Sequence, residues 1–98
     1  MIKITFEDER TLTISGHAGY AEQGKDIVCA GVSAIAYTLL GYLEDIGVDV
    51  LSDIKPKKGY MRILSRTRNK TVRDAFKMAQ TGLLQIERAF PEYVSIKK

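Results

Sequence analysis

Cysteine is almost missing from this sequence: Cys29 is the only one among 98 residues. A disulfide framework therefore cannot hold the fold together, which excludes the small disulfide-rich classes of secreted protein. The chain also lacks an uninterrupted run approaching the roughly 20 apolar residues of a membrane span. Residues 2–6 alternate in polarity like a strand and do not form the basic and then apolar segment of a signal peptide. We therefore expect a cytoplasmic protein, in which a lone thiol stays reduced.

The length and the charge distribution limit the choice of function. With 45% hydrophobic residues, residues 1–98 are expected to form one domain that buries roughly 60 to 65% of its unfolded surface. Residues 1–53 carry a net charge of −6 and residues 54–98 one of +9. Eight basic and no acidic residues lie between Lys55 and Arg73. This segment is typical of a solvated surface, but it also allows contact with RNA or a ribosome.

The polarity pattern predicts two hairpins and two helices. Alternation over residues 2–6 and 11–15 indicates the first hairpin, and residues 48–54 and 60–64 indicate the second. A helix is expected from a cap at Asp26 to a stop at Gly47, and a second helix from a capping box at Thr71–Asp74 to Pro91. Residues 93–96 could add a last strand. The order β-β-α-β-β-α-β predicts an α+β two-layer sandwich, with two helices on one face of a mixed sheet.

The only histidine and the only cysteine lie on either side of the loop before the first helix. His17 follows a strand, and Cys29 falls in the first helical turn, where backbone N–H groups and the helix dipole favour a thiolate. This spacing permits a nucleophile and its base, and free amides of the same turn could hold an oxyanion. Asp26 and Ser33 lie on the same helical face as Cys29, and Asp26 could orient His17.

Simpler roles for these residues stay open on the sequence alone. Cys29 could be a small buried hydrophobe, Asp26 a helix cap and Ser33 a polar residue against the next turn. A metal site is disfavoured, because Cys29, His17, Glu22 and Asp26 lack a recognised ligand spacing. The segment 19–26 matches a phosphate-binding loop except at its last position, where Asp replaces Ser or Thr, so nucleotide binding is also disfavoured.

Two segments of the sequence resemble a known family. The residues Gly16-His17-Ala18, a short glycine-containing loop and then Gly24-Lys25-Asp26-Ile27-Val28-Cys29-Ala30-Gly31-Val32-Ser33 look like the motif of the ribosomal-processing cysteine protease family, Prp. The resemblance implies a homodimeric bacterial endopeptidase that removes a short N-terminal extension from the large-subunit ribosomal protein L-twenty-seven. It places the nucleophile on Cys29, its partner on His17, and accessory roles on Asp26 and Ser33. No cofactor or metal is implied.

The resemblance also implies an apolar cleft, since the family's substrates carry paired Phe next to the cleavage point. We expect Tyr20, Tyr37 or Leu40 to line it. The loop with Gly16, Gly19, Tyr20 and Gly24 is expected to close over bound substrate. The alternative function is a non-catalytic ribosome- or RNA-associated domain that uses residues 55–73.

Overall fold

The computed structural model describes residues 1–22 and 25–98. Strand β1 covers Ile2–Glu7, β2 Thr11–Ser15, β3 Val50–Lys55, β4 Tyr60–Ser65 and β5 Val94–Lys97. Helix α1 covers Ile27–Asp45 and α2 covers Lys70–Ala89, and a short 3₁₀ turn at Pro56–Lys58 joins β3 to β4. The predicted element order is confirmed.

The five strands form one mixed sheet in the order β3-β4-β2-β1-β5. Strands β1 and β5 pair in parallel, with Ile2 aligned with Val94, and the other three pairs of this sheet are antiparallel. The register places Ile14 opposite Ile4 on one side and opposite Met61 on the other. Because side chains alternate along a strand, this register collects the apolar residues on a single face. Both helices cover that face, as the sequence pattern predicted.

Helix α1 supplies the centre of the core. Its buried residues recur every three or four positions, and they are Val28, Val32, Ala36, Leu39, Leu40 and Leu43. By length and composition α1 also satisfies the usual criterion for a membrane span, although its sequence is not uninterruptedly apolar. The core stripe accounts for this composition within the fold itself. Leu12, Leu43, Ile63 and Leu83 are all fully buried, so the sheet and both helices share one core.

Helix α2 begins earlier than the sequence predicts. Asn69 is the N-cap, and its side chain accepts a hydrogen bond from the Val72 amide at 2.9 Å. The proposed capping box at Thr71–Asp74 is therefore wrong: Asp74 binds Lys70 at 2.7 Å on the helix surface. Asn is as favourable as Ser or Thr at an N-cap, but the Thr-x-x-Asp spacing two residues later favoured a later start of the helix.

Candidate active site

Cys29 lies in the first turn of α1 and is partly buried. The backbone N–H of Ala18 points to its sulfur, with a nitrogen-to-sulfur distance of 3.4 Å. Ala18 itself is buried, with 4% of its surface exposed, so the end of β2 and the start of α1 are packed together. The loop between them therefore folds back, as the spacing of the two candidate residues permitted.

His17 lies just beyond β2 and is exposed. It shares the wall of a cavity of about 450 Å³ with Cys29. The preceding residue, Gly16, has φ +93°, and a side chain there would run into the carbonyl oxygen of Met1. Glycine is therefore needed at the position that directs the chain from the sheet into the site. The structure brings the two residues of the predicted dyad to one cavity.

Asp26 was considered for two roles, as a helix cap and as a residue that orients His17. Its Oδ1 accepts hydrogen bonds from the amides of Val28 at 2.9 Å and Cys29 at 3.0 Å. Its Oδ2 accepts from the amides of Tyr20 at 3.1 Å and Ala21 at 3.4 Å. The predicted helix cap is thus confirmed, and no hydrogen bond joins Asp26 to His17 within the described residues. Asp26 caps the helix and ties the preceding loop to it.

The same four amides keep the Asp26 carboxylate ionised. Burial alone would raise the pKa of Asp26, but the hydrogen bonds from Cys29, Tyr20, Ala21 and Val28 outweigh burial and lower it below its ordinary value of 3.8. A carboxylate at the N-terminus of α1 is also favoured by the helix dipole. Asp26 is therefore a fixed negative charge at neutral pH.

The capping bonds also bear on the expected oxyanion site. The amides of Val28 and Cys29 bind the Asp26 side chain, and the Ala30 amide binds the Asp26 carbonyl at 3.0 Å. These three amides are therefore already bonded, and the expectation that a first-turn amide holds the oxyanion stays a prediction. The amide of Ala18 is the donor in the described residues that points to the sulfur.

The cavity is a cleft between α1 and the β3–β4 hairpin. Ser33 and Tyr37 line it from α1, one and two turns after Cys29, and the hairpin contributes Ile54, Pro56, Gly59 and Tyr60. Tyr37 was expected here, and its side chain is 46% exposed. Leu40 was also expected, but it is 7% exposed and belongs to the core. No three metal-ligating side chains converge anywhere in residues 1–22 and 25–98.

Tyr20 does not line the cleft either, which corrects another expectation. Its ring packs edge-on against Phe90, with ring centres 5.4 Å apart, and against Tyr93, with centres 5.2 Å apart. This aromatic clasp, Tyr20 with Phe90 and Tyr93, holds the loop against the end of α2. Gly19 does line the cleft, whereas Gly24 lies outside the described residues. No local pattern predicts the clasp, because its partners lie about 70 residues away in the sequence.

The basic segment is partly neutralised by acidic neighbours. Arg68 lies 3.6 Å from Asp8, and Arg73 lies 3.6 Å from Glu9, so two of its charges pair with the β1–β2 turn. Further surface pairs in the described residues join Lys55 to Asp53, Arg66 to Asp49 and Lys70 to Asp74. The segment is therefore a mixed-charge surface over much of its length.

Comparison with known proteins gives a consistent result. The sequence model of the family described as Cysteine protease Prp matches residues 1–95. The chain is 30% identical over 98 residues to the ribosomal processing cysteine protease Prp of Mycoplasma genitalium, a match covering all of this chain and 96% of that one. It is similar to the essential ribosomal processing protease Prp from S. aureus in complex with a covalently linked product peptide. That similarity has a TM-score of 0.85 and 26% identity, and it covers 98% of this chain and 95% of that one.

A second structure of the S. aureus protease, in complex with a substrate peptide, gives a TM-score of 0.80 at 25% identity. It covers 98% of this chain and 95% of that one. The fold, the match along nearly the whole chain and the cleft at Cys29 point in the same direction. The chain belongs to the cysteine protease Prp family.

Proposed function

We propose that this chain removes the N-terminal extension of ribosomal protein L-twenty-seven during ribosome assembly, with Cys29 as nucleophile and His17 as acid and base. The observation that carries the proposal is the shared cavity: Cys29 and His17 face one cleft, and the Ala18 amide lies 3.4 Å from the sulfur. The relative from Mycoplasma genitalium is named as a ribosomal processing protease, which supports a ribosomal substrate.

The proposed reaction is acyl transfer in two steps. The Cys29 thiolate attacks the scissile carbonyl carbon. The Ala18 amide, which donates to the sulfur before the attack, then donates to the carbonyl oxygen that becomes negative. His17 gives a proton to the leaving amine, which is the new N-terminus of the ribosomal protein. His17 then takes a proton from water, whose oxygen attacks the thioester. The extension leaves with a new carboxylate, and the thiolate is restored.

The cleft suits an extended peptide with large apolar side chains. Tyr37 on one wall and Ile54 and Tyr60 on the other offer aromatic and aliphatic surface within about 450 Å³. A cavity of this size accommodates a few side chains but not a folded protein surface. A flexible N-terminal extension with paired Phe fits that requirement.

We also propose a cytoplasmic homodimer. Two large apolar side chains are exposed beside the groove between α1 and α2: Met78 is 72% exposed and Tyr42 46% exposed. Such a surface is typical of an interface, and a second copy would cover it. Light scattering after size exclusion should give twice the chain mass, and Met78→Glu should reduce it toward a monomer. A wild-type monomer at micromolar concentration would contradict the dimer.

The function is tested by mass spectrometry of the ribosomal protein precursor after incubation with the chain. We expect a truncated product with wild type and none with Cys29→Ala or His17→Ala. Each variant should keep the wild-type circular dichroism spectrum, because each removes one side chain at the rim of the core. RNA binding that survives alkylation of Cys29 and falls steeply with salt, without cleavage, would favour the non-catalytic alternative.

A further inference from the structure

No carboxylate of the described residues is hydrogen-bonded to the proposed base, His17. In cysteine and serine proteases the histidine is usually held by a third polar group. His17 is exposed and makes no side-chain hydrogen bond within residues 1–22 and 25–98. Asp26, which lines the same cleft, uses both oxygens for backbone amides. Something else must fix the imidazole.

The imidazole instead lies against Gly59, in the turn between β3 and β4. A Cβ atom on Gly59 would lie 2.8 Å from Nε2 of His17 and 2.9 Å from Cε1. Real Cβ contacts are essentially never that short, so the ring occupies the space that a side chain at position 59 would need. The ring thus packs directly on the backbone of the turn.

The backbone beside His17 is fixed to the same residue. The Gly16 amide donates to the Gly59 carbonyl at 2.8 Å, which continues the β2–β4 pairing by one step. The Gly59 amide in turn donates to the Pro56 carbonyl at 3.0 Å, which closes the 3₁₀ turn. Gly59 has φ +61°, so the turn is held in a left-handed conformation that glycine adopts without strain.

We propose that Gly59 is a positioning residue for the proposed reaction: because Gly59 has no side chain, the His17 imidazole packs on the backbone of the turn, and this contact orients the ring toward Cys29. This inference rests on the proposed role of His17 as the base. Any larger residue at 59 must displace the ring or the Gly16 carbonyl, whose oxygen lies 2.7 Å from the same Cβ position. A displacement of about 1 Å in a catalytic group costs on the order of 10²-fold in rate.

The test compares Gly59→Ala with Gly47→Ala. Gly47 also has a positive φ, +78°, but a Cβ there meets nothing within 4 Å. A side chain at either position adds backbone strain, because φ is positive at both. We expect this strain to lower the melting temperature of each variant by roughly 4–10 °C. We expect Gly59→Ala to lower kcat about 10²-fold with little change in KM, and to slow alkylation of Cys29, as we also expect of His17→Ala. Gly47→Ala should stay within about twofold of wild type in both. Equal turnover in the two glycine variants would overturn the proposal.

A double-mutant cycle with His17→Ala covers the case in which Gly59→Ala unfolds the protein. The clash with the Gly16 carbonyl is present in both backgrounds and cancels, so the cycle isolates the imidazole. We expect Gly59→Ala to lower the melting temperature less when residue 17 is alanine, and to cause no further loss of alkylation rate there. Equal destabilisation in both backgrounds, or failure to fold in both, would overturn the proposal. If His17→Ala retained full activity, the proposed function itself would fail. That result differs from a failure of the Gly59 proposal alone, in which His17→Ala is inactive but the two glycine variants have equal turnover.

Discussion

Substitutions at Asp26 can separate the two roles of its carboxylate, which caps α1 and binds the amides of the preceding loop. Asp26→Ala removes both the helix cap and the bonds to the loop. Asp26→Asn keeps an oxygen for Val28 and Cys29, since Asn caps helices as well as Asp does. Its NH₂ group would then face the amides of Tyr20 and Ala21, where donor meets donor. The Asn variant therefore breaks the loop bonds alone.

The expected magnitudes follow from the four hydrogen bonds. Loss of the cap costs about 1 kcal/mol. The bonds to Tyr20 and Ala21 contribute about 0.5–1 kcal/mol each, because both residues are exposed and water can replace the carboxylate. Asp26→Ala should thus lose about 2–3 kcal/mol, which is roughly 8–20 °C in melting temperature for a domain of this size. Asp26→Asn should lose about half of that.

Hydrogen exchange at single amides is the decisive assay. We expect Asp26→Asn to speed exchange of the Tyr20 and Ala21 amides about tenfold, while the Val28 and Cys29 amides stay protected. Asp26→Ala should expose all four. Unchanged exchange at Tyr20 and Ala21 in the Asn variant would refute the assignment of Asp26 as the link between loop and helix.

The contribution of Asp26 also has a defined pH dependence. Its folded-state pKa is lowered, so as the pH falls the unfolded carboxyl takes up a proton before the folded one does. The stabilisation is therefore complete above the ordinary value of 3.8 and disappears as the pH falls through the lowered value. The melting-temperature difference between wild type and Asp26→Asn should be largest at neutral pH and should shrink in that acidic range. A constant difference would contradict the assigned direction.

Three further outcomes are expected. Tyr20→Leu should break the aromatic clasp, lower the melting temperature by several degrees and speed hydrogen exchange in the loop, since each ring pair contributes about 0.5–1.5 kcal/mol. Tyr20→Phe should keep the melting temperature and the loop exchange near wild type. Identical exchange in the two variants would contradict the role of the clasp. At one fixed pH, iodoacetamide should modify Cys29 faster in wild type than in His17→Ala, as followed by intact mass, because His17 lines the same cleft and is the proposed base. Equal rates would argue against an assembled dyad in the free protein. Replacing Lys57, Lys58 and Arg62 with Glu should leave kcat/KM on a short peptide within about twofold of wild type, because these side chains do not line the cleft. A large loss of kcat/KM on the peptide would place them in the site.

The sequence predicts the fold well, because its dominant signals are local. Alternation with period two in the strands and the three-to-four spacing in α1 determine which face of each element is buried, and that is enough for a two-layer arrangement. The start of α2 is the exception. Thr71 and Asp74 have the spacing of a capping box, but Asn69 is the N-cap. Only the observed hydrogen bond from the Val72 amide to Asn69 decides between Thr71 and Asn69.

The site is predictable in its chemistry but not in its contacts. His17 and Cys29 are the only residues of their kind and lie on either side of one loop, so their pairing can be inferred. The contact of His17 with Gly59 and that of Tyr20 with Phe90 cannot be inferred, because each joins residues more than 40 positions apart. The helix cap at Asp26 was predicted, but its further bonds to the loop amides of Tyr20 and Ala21 were not. Amides leave no mark in a sequence, so competition for a carboxylate is visible only in three dimensions.

The central claim is that Cys29 carries the acyl group, and acid-quenched mass spectrometry during turnover tests it most directly. The account predicts a covalent adduct equal to the mass of the released extension less one water, which proteolytic mapping places on Cys29. Acid preserves a thioester long enough for this measurement. An adduct on any other residue, or cleavage of the ribosomal protein that continues undiminished in Cys29→Ala, would contradict the account.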